Sequence, residues 1–299
     1  MRFSFWPAPT NSWNDTLDLA NHAEATGWYS IWFADHFMPN AEDTSGPFAE
    51  CWTTLAALGA AVPRVRIGAL VTGNTYRHPA VLAKMAANVD QISGGRCVLG
   101  LGAGWQENEH RAYGLNFSTL GGRMARFEEA CQVIKGLFSK EKTDFQGKYY
   151  QLTDAPLAPK PVQDPLPLLI GGGGEQRTLR IAAKYADEWN VWGTPEVLAH
   201  KGAILNRYCE EIGRDPKSIK HSAQGMLAMT DDETVAERMR ASGRPAIAGT
   251  GAQIRAMVEQ YIEAGVDELI IPGFALGRNV GETKAIMDKF ANEVMAHFK

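Results

Sequence analysis

Eight short apolar runs, each followed by a stretch with helical spacing, constrain this chain more than any other feature of its sequence. The runs are Arg2–Trp6, Tyr29–Phe33, Val65–Val71, Cys97–Leu101, Leu168–Ile170, Glu188–Trp192, Ser222–Met229 and Glu268–Ile271. Between the third and fourth, Leu82, Met85, Val89 and Ile92 form one buried helical stripe. Strands that alternate with helices pair in parallel, and eight of them close a barrel. A doubly wound open sheet would carry a glycine fingerprint after its first strand, and none is present. The expected architecture is therefore one α/β domain over residues 1–299, a (β/α)₈ TIM barrel with insertions. The rhythm breaks at residues 140–167, where Pro156, Pro159, Pro161, Pro165 and Pro167 forbid a helix. Polar Asp231–Gly249 suggests a mobile lid.

Composition narrows the functional classes. Thirty Lys and Arg against 34 Asp and Glu give a net charge of −4, without long runs of either sign. General nucleic-acid binding needs a concentrated basic surface and is not expected. The start MRFSFWPAP lacks the pattern of a secretory signal, and no apolar run reaches the ~18 residues of a spanning helix. A soluble, cytoplasmic protein is expected, with no membrane partner. The four cysteines are scattered; three sit in apolar or helical contexts and read as small hydrophobes, and neither zinc ligation nor a disulfide is expected. There is no His-x-His after the first strand and no cluster of His, Asp and Glu, so no metal site is expected.

Active sites of such barrels gather at the C-terminal ends of the strands. After the second strand stand Asp35 and His36, and a histidine there can exchange a proton near neutral pH. The plain structural alternative is a turn histidine beside a capping aspartate. After the third strand, His78-Pro79 reads as a helix start. The fourth ends in Gly100-Leu101-Gly102-Ala103-Gly104-Trp105, which fails the dinucleotide fingerprint because Trp105 replaces its third glycine. The strongest local signal is Gly171-Gly172-Gly173-Gly174, between a strand and a helix read as opening through Glu175-Gln176-Arg177-Thr178. Four glycines leave backbone N–H groups free to face an anion at a helix N-terminus, with Arg177 and Arg180 close by. A tight turn is the alternative. No Gly-x-Ser-x-Gly elbow is present, and the fourth strand does not end in a carboxylate as a two-carboxylate glycosidase would require.

DHF at 35–37, TGNTYRHPAVLAKMAANVDQISGGR at 72–96, GLGAGWQENEHRAYG at 100–114, PLLIGGGGEQRTLRIAAKYADEWN at 167–190 and GTGAQIRAMVEQYIEAGVDELII at 249–271 resemble the bacterial luciferase-like monooxygenase superfamily. Within it they are most similar to the oxidoreductases that depend on the deazaflavin coenzyme F420. The resemblance implies F420, or FMN, in the barrel mouth, its ring over a third-strand bulge held by a cis peptide at Ala69–Leu70. It implies Thr72 bonded to the ring with Asp35 nearby, Ala103, Gly104 and Asn108 along the cofactor, and Gly171, Gly172, Gly173, Gly174, Gln176 and Arg177 in the loop that holds its phosphate. His36 aligns with the histidine that sugar-phosphate dehydrogenases of this family place beside the ring. A homodimer is implied as well.

Three positions depart from those dehydrogenases. Trp105 stands where they carry a catalytic Glu, Asn40 where they carry a Trp, and Trp192-Gly193-Thr194-Pro195 lacks their phosphate-binding lysine. Glucose 6-phosphate is therefore not expected as substrate, and Trp105 suggests an apolar wall. Glu107 and Glu109 are candidates for the second acid or base by proximity alone. The expected activity is hydride transfer between F420 and a small organic substrate. The alternatives are an FMNH₂-dependent monooxygenase using O₂ and a non-catalytic flavin-binding protein.

Overall fold

A computed structural model describes residues 1–298. The first half runs β1 (Arg2–Trp6), α1 (Trp13–Ala25), β2 (Ser30–Phe33), α2 (Cys51–Ala61), β3 (Arg66–Ala69), β4 (Thr72–Gly73), α3 (Pro79–Ser93), β5 (Cys97–Gly102), α4 (Glu107–Tyr113) and α5 (Leu120–Ser139). The second runs β6 (Lys142–Gln146), β7 (Gln151–Pro156), β8 (Leu168–Gly171), α6 (Thr178–Tyr185), β9 (Glu188–Trp192), α7 (Pro195–Glu211), β10 (Lys220–Gln224), β11 (Met226–Met229), α8 (Glu233–Arg240), β12 (Ala246–Gly249), α9 (Gly251–Glu263), β13 (Glu268–Pro272) and α10 (Val280–Glu293).

Local chemistry explains the helix ends. His78 caps α3 by accepting the Ala80 N–H, Pro79 occupies the first turn, and Gly94 closes the helix in the left-handed conformation at φ 65°. Thr250 and Gln253 form a reciprocal capping box on α9.

The strand order β3-β2-β1-β13-β10-β9-β8-β5 is parallel throughout, and β5 pairs back to β3, closing an eight-stranded (β/α)₈ barrel. Alternate residues point inward, and Trp32, Leu70, Val98, Leu169 and Ile270 fill the interior with Trp6 and Val71 packed against them. Side chains of opposite parity, such as Phe5, Ile31 and Leu99, join the helices in the larger outer core. Among the described residues no helix is long and apolar enough to cross a membrane.

Two expectations about the insertions are refined. The proline-rich excursion folds as the antiparallel hairpin β6–β7 followed by cis peptides at Ala158–Pro159 and Asp164–Pro165. The suggested lid contains regular structure: α8 leads into β12, which pairs with β11 from Met226↔Ala246 to Met229↔Gly249. The expected seventh strand is divided between β10 and β11 because the Gly225 N–H stays with the Ile270 carbonyl of β13 while the Met226 N–H turns to the Pro245 carbonyl.

Candidate active site at the barrel mouth

The C-terminal strand ends bring His36, Tyr76 and Glu109 together. Glu109 sits in the first turn of α4 with its carboxylate buried. One oxygen accepts from His36 Nδ1 at 2.8 Å and from the Tyr76 hydroxyl; the other accepts the Phe37 N–H at 2.8 Å. Burial alone would raise the Glu109 pKa, but hydrogen bonds from His36, Phe37 and Tyr76 outweigh it and hold the carboxyl below the ordinary glutamate range. Burial and the carboxylate keep the Tyr76 hydroxyl protonated well beyond the ordinary tyrosine range. An ionised carboxylate only accepts, so the network assigns the imidazole proton to Nδ1 and leaves Nε2 free. The imidazole remains partly exposed. Trp105 stands edge-on to it with ring centroids 5.5 Å apart. Of the two glutamates singled out in the sequence, Glu107 is exposed and Glu109 is the partner.

Asp35 does not cap a turn. It is buried against Arg77, with Arg77 Nη1 at 2.6 Å from one oxygen and Nη2 at 3.2 Å from the other, while Nη2 also reaches Glu50 at 2.6 Å. Burial nevertheless pushes its pKa upward against the pull of Arg77. Thr72 is buried beside it, its hydroxyl accepting from Trp52 Nε1 at 2.9 Å. In this structure both side chains brace the wall behind His36.

The third strand carries the expected bulge, with the cis peptide one residue further along, at Leu70–Val71 instead of Ala69–Leu70. The register explains the shift: Ala69 still pairs with Phe33, and the Leu70 N–H still donates to the Phe33 carbonyl at 2.8 Å. Pairing with β5 then jumps from Gly68↔Val98 to Thr72↔Leu101, so one residue is extra. Ala69 is completely buried in the outer core, Leu70 belongs to the barrel interior, and partly exposed Val71 faces the mouth.

Missing side chains make room for that bulge. A Cβ on Gly171 would lie 2.8 and 2.9 Å from the Val71 methyls, one on Gly102 would lie 3.0 Å from a Val71 methyl, and one on Gly100 would overlap the Ala69 carbonyl oxygen. Gly171 is thus required by packing. Gly172 adopts φ 119° and donates its N–H to the Asn190 carbonyl at 2.8 Å, so it too serves the sheet. The N–H groups of Gly173, Gly174, Glu175 and Gln176 meet no protein acceptor among the described residues. Helix α6 runs over Thr178–Tyr185 as the sequence predicts, and Leu179 N bonds back to the Gly174 carbonyl in a wider turn ahead of it. Exposed Arg177 reaches the Gly121 carbonyl at 3.3 Å, and exposed Gln176 stands in the same turn. Lys201, unmarked in the sequence, brings its ammonium to within 2.8 Å of the Gly173 carbonyl and 3.0 Å of Glu175.

Beyond β5, Gly104 turns with φ 82° against Thr75, and its carbonyl accepts from Arg123 at 3.1 Å beside partly exposed Ala103. Asn108 fastens the β2–α2 loop by donating to the Pro39 carbonyl at 3.0 Å. No cluster able to hold a metal ion occurs among the described residues. A cavity of about 440 Å³ surrounds Tyr29 at the opposite barrel end, and one of about 670 Å³ lies between the β1–α1 and β13–α10 connections with Phe274 on its border; His36 lines neither.

The comparisons agree with this fold. Residues 1–268 match the luciferase-like monooxygenase family model, and the chain belongs to that family. An F420-dependent glucose-6-phosphate dehydrogenase of Amycolatopsis mediterranei is 36% identical over 58% of this chain and 50% of its own length. An F420-dependent hydroxymycolic acid dehydrogenase of Mycobacterium tuberculosis is 28% identical over 90% of this chain and 75% of its own length. The matches thus span about half the length of the sugar-phosphate dehydrogenases. Among solved structures, an F420-dependent secondary alcohol dehydrogenase in complex with an F420-acetone adduct superposes with a TM-score of 0.86, at 22% identity over 99% of this chain and 98% of that one. The F420-dependent tetrahydromethanopterin reductase of Methanopyrus kandleri gives 0.84 at 19% identity over 100% and 99%.

Proposed function

We propose that this protein is an F420-dependent oxidoreductase that interconverts an alcohol and a carbonyl compound, with His36 moving the proton. The observation that carries the reading is the His36–Glu109 contact, which leaves Nε2 free at the barrel mouth. The residues fit a long, flat, phosphorylated cofactor. The bulge at Val71 supplies a small apolar floor, and the unpaired N–H groups from Gly173 to Gln176, with Arg177 and Lys201, suit its phosphate. Ala103, Gly104 and Asn108 would border its length, while Asp35 and Thr72 would stiffen the wall beside it.

When bound, F420 supplies the carbon that accepts or donates a hydride. The remaining work falls to the chain. As the substrate C–H bond breaks with loss of hydride, Nε2 of His36 takes the hydroxyl proton and the C=O bond forms. In reverse, Nε2–H gives that proton to the carbonyl oxygen. Glu109 keeps the imidazole in one tautomer and one orientation, and compensates the imidazolium charge.

The family description itself supports a second reading, an FMNH₂-dependent monooxygenase. Fluorescence titration of the purified protein with F420 and with FMN tests the choice. Preferential F420 binding, with substrate-dependent F420 reduction that is insensitive to O₂, is expected. Preference for FMN with O₂ consumption would overturn the reading in favour of the monooxygenase.

A further inference from the structure

From the aromatic side chains opposite the bulge we infer that this mouth selects uncharged substrates with an apolar, flat body, and that Trp192 and Phe274 are the specificity-determining residues. The inference rests on the oxidoreductase reading and adds its substrate class.

Around the closed barrel, Trp6 ends β1, Phe274 follows β13 and Trp192 ends β9, so three strand ends contribute to one wall. Trp6 and Trp192 are separated by β13 and β10, yet their rings meet at 6.1 Å; Trp6 leans across the mouth. Phe274 stands edge-on to Trp6 at 5.6 Å, with interplanar angle 87°. Trp6 and Val71 both rest on the interior cluster of Trp32, Leu70, Val98, Leu169 and Ile270, which makes the wall continuous with the floor at the bulge.

Trp192 is 40% exposed, Phe274 49% and Trp105 61%. Large aromatics left open together on the catalytic face mark a surface for an apolar ligand. The cations nearest this wall in sequence already carry partners. The first Lys or Arg after Phe274 is Arg278, paired with Glu282 at 2.7 Å. The first after Trp192 is Lys201, which turns to the glycine loop, where its ammonium meets the Gly173 carbonyl at 2.8 Å and Glu175 at 3.0 Å. Arg77, behind His36, is held by Asp35 and Glu50. What remains facing the mouth is π-surface, suited to an aryl or alicyclic alcohol or ketone.

The test uses 1-phenylethanol and glucose 6-phosphate as probes with F420. The expected result is turnover of 1-phenylethanol at lower KM than glucose 6-phosphate. Its KM should rise at least about tenfold in Trp192→Ala and in Phe274→Ala, with kcat moving less and Trp192→Phe restoring most of the loss. Preference for glucose 6-phosphate, or a KM that ignores both substitutions, would overturn the inference while leaving the oxidoreductase reading intact. Where neither probe turns over, or F420 does not bind, saturation-transfer NMR of 1-phenylethanol with the cofactor-free protein decides. Binding lost in the Trp192→Ala/Phe274→Ala double variant upholds the wall even if the cofactor reading falls. No binding to the parent protein overturns it.

Discussion

His36 Nδ1 and Glu109 Oε1 lie 2.8 Å apart although 73 residues separate them in the chain. The contact joins the end of β2 to the first turn of α4 and sets which imidazole nitrogen faces the mouth. Replacing His36 with Ala is expected to lower kcat by about 10²–10⁴-fold, the usual contribution of a positioned acid–base group, while F420 affinity holds. Steady-state F420 reduction alongside a fluorescence binding curve separates the two effects; unchanged turnover would remove His36 from the chemistry.

Glu109→Gln keeps the shape and removes the charge. The amide retains one acceptor oxygen for three donors and cannot balance an imidazolium. A kcat loss smaller than that of His36→Ala is expected, with a changed pH profile and unaltered F420 binding. A variant matching the parent in rate and profile at every pH would show that Glu109 only holds the loop.

The glycine at position 171 predicts a non-additive pair. Gly171→Ala places a methyl 2.8 Å from Val71 and should lower stability by about 1–3 kcal/mol, as overpacking does. Val71→Ala removes the opposing methyls, so the double variant should recover part of that loss. A double-mutant cycle from chemical denaturation measures the coupling; strictly additive losses would mean that the two positions do not press on each other.

Much of this fold could be read before any coordinates. Period-3.6 stripes and strand-length apolar runs follow from local sequence, and eight β–α alternations leave few closed solutions. Even the α3 cap at His78-Pro79 was legible, because capping acts over two or three residues. The site was legible only where its residues stand at strand ends. Glu109 was one of two glutamates near Trp105, and only the bend that brings α4 over His36 distinguishes it from Glu107. Val71, Tyr76 and Lys201 gave no signal of their own. Their roles arise from a one-residue register jump, a shared carboxylate and a helix folded back on the glycine loop. Likewise, four glycines in a row looked like a single anion cradle, whereas two of them answer to Val71 and Asn190.

The opposite end of the barrel gives a pH prediction. Glu268 is buried and accepts from Trp32 Nε1 at 2.7 Å. Burial pushes its pKa above the ordinary glutamate value, with Glu188 adding to the effect. A carboxyl whose folded pKa is raised contributes its stability below the unfolded value of about 4.3 and loses it as pH rises through the folded one. Glu268→Gln cannot ionise and preserves the acceptor for Trp32. Its melting temperature should therefore gain on the parent as pH rises from about 4.3 toward neutrality, by about 2–4 °C per kcal/mol. A constant difference across that range would argue against the raised pKa.

The anion loop yields a salt-dependent prediction. Arg177→Ala and Lys201→Ala should each weaken F420 binding, and the weakening should shrink as ionic strength rises and screens the remaining charges. Isothermal titration at low and high salt measures it; affinities insensitive to both substitutions would place the phosphate elsewhere.

The bulge at Val71 also limits how this mouth could change over evolutionary time. Val71 packs so closely on Gly100, Gly102 and Gly171 that none of these glycines has room for a side chain while it stays. A side chain at any of the three glycines would call for a compensating change at residue 71 or its neighbours. New specificities in this lineage should accumulate on the freely exposed rim, at Trp105, Trp192 and Phe274, while the floor stays fixed.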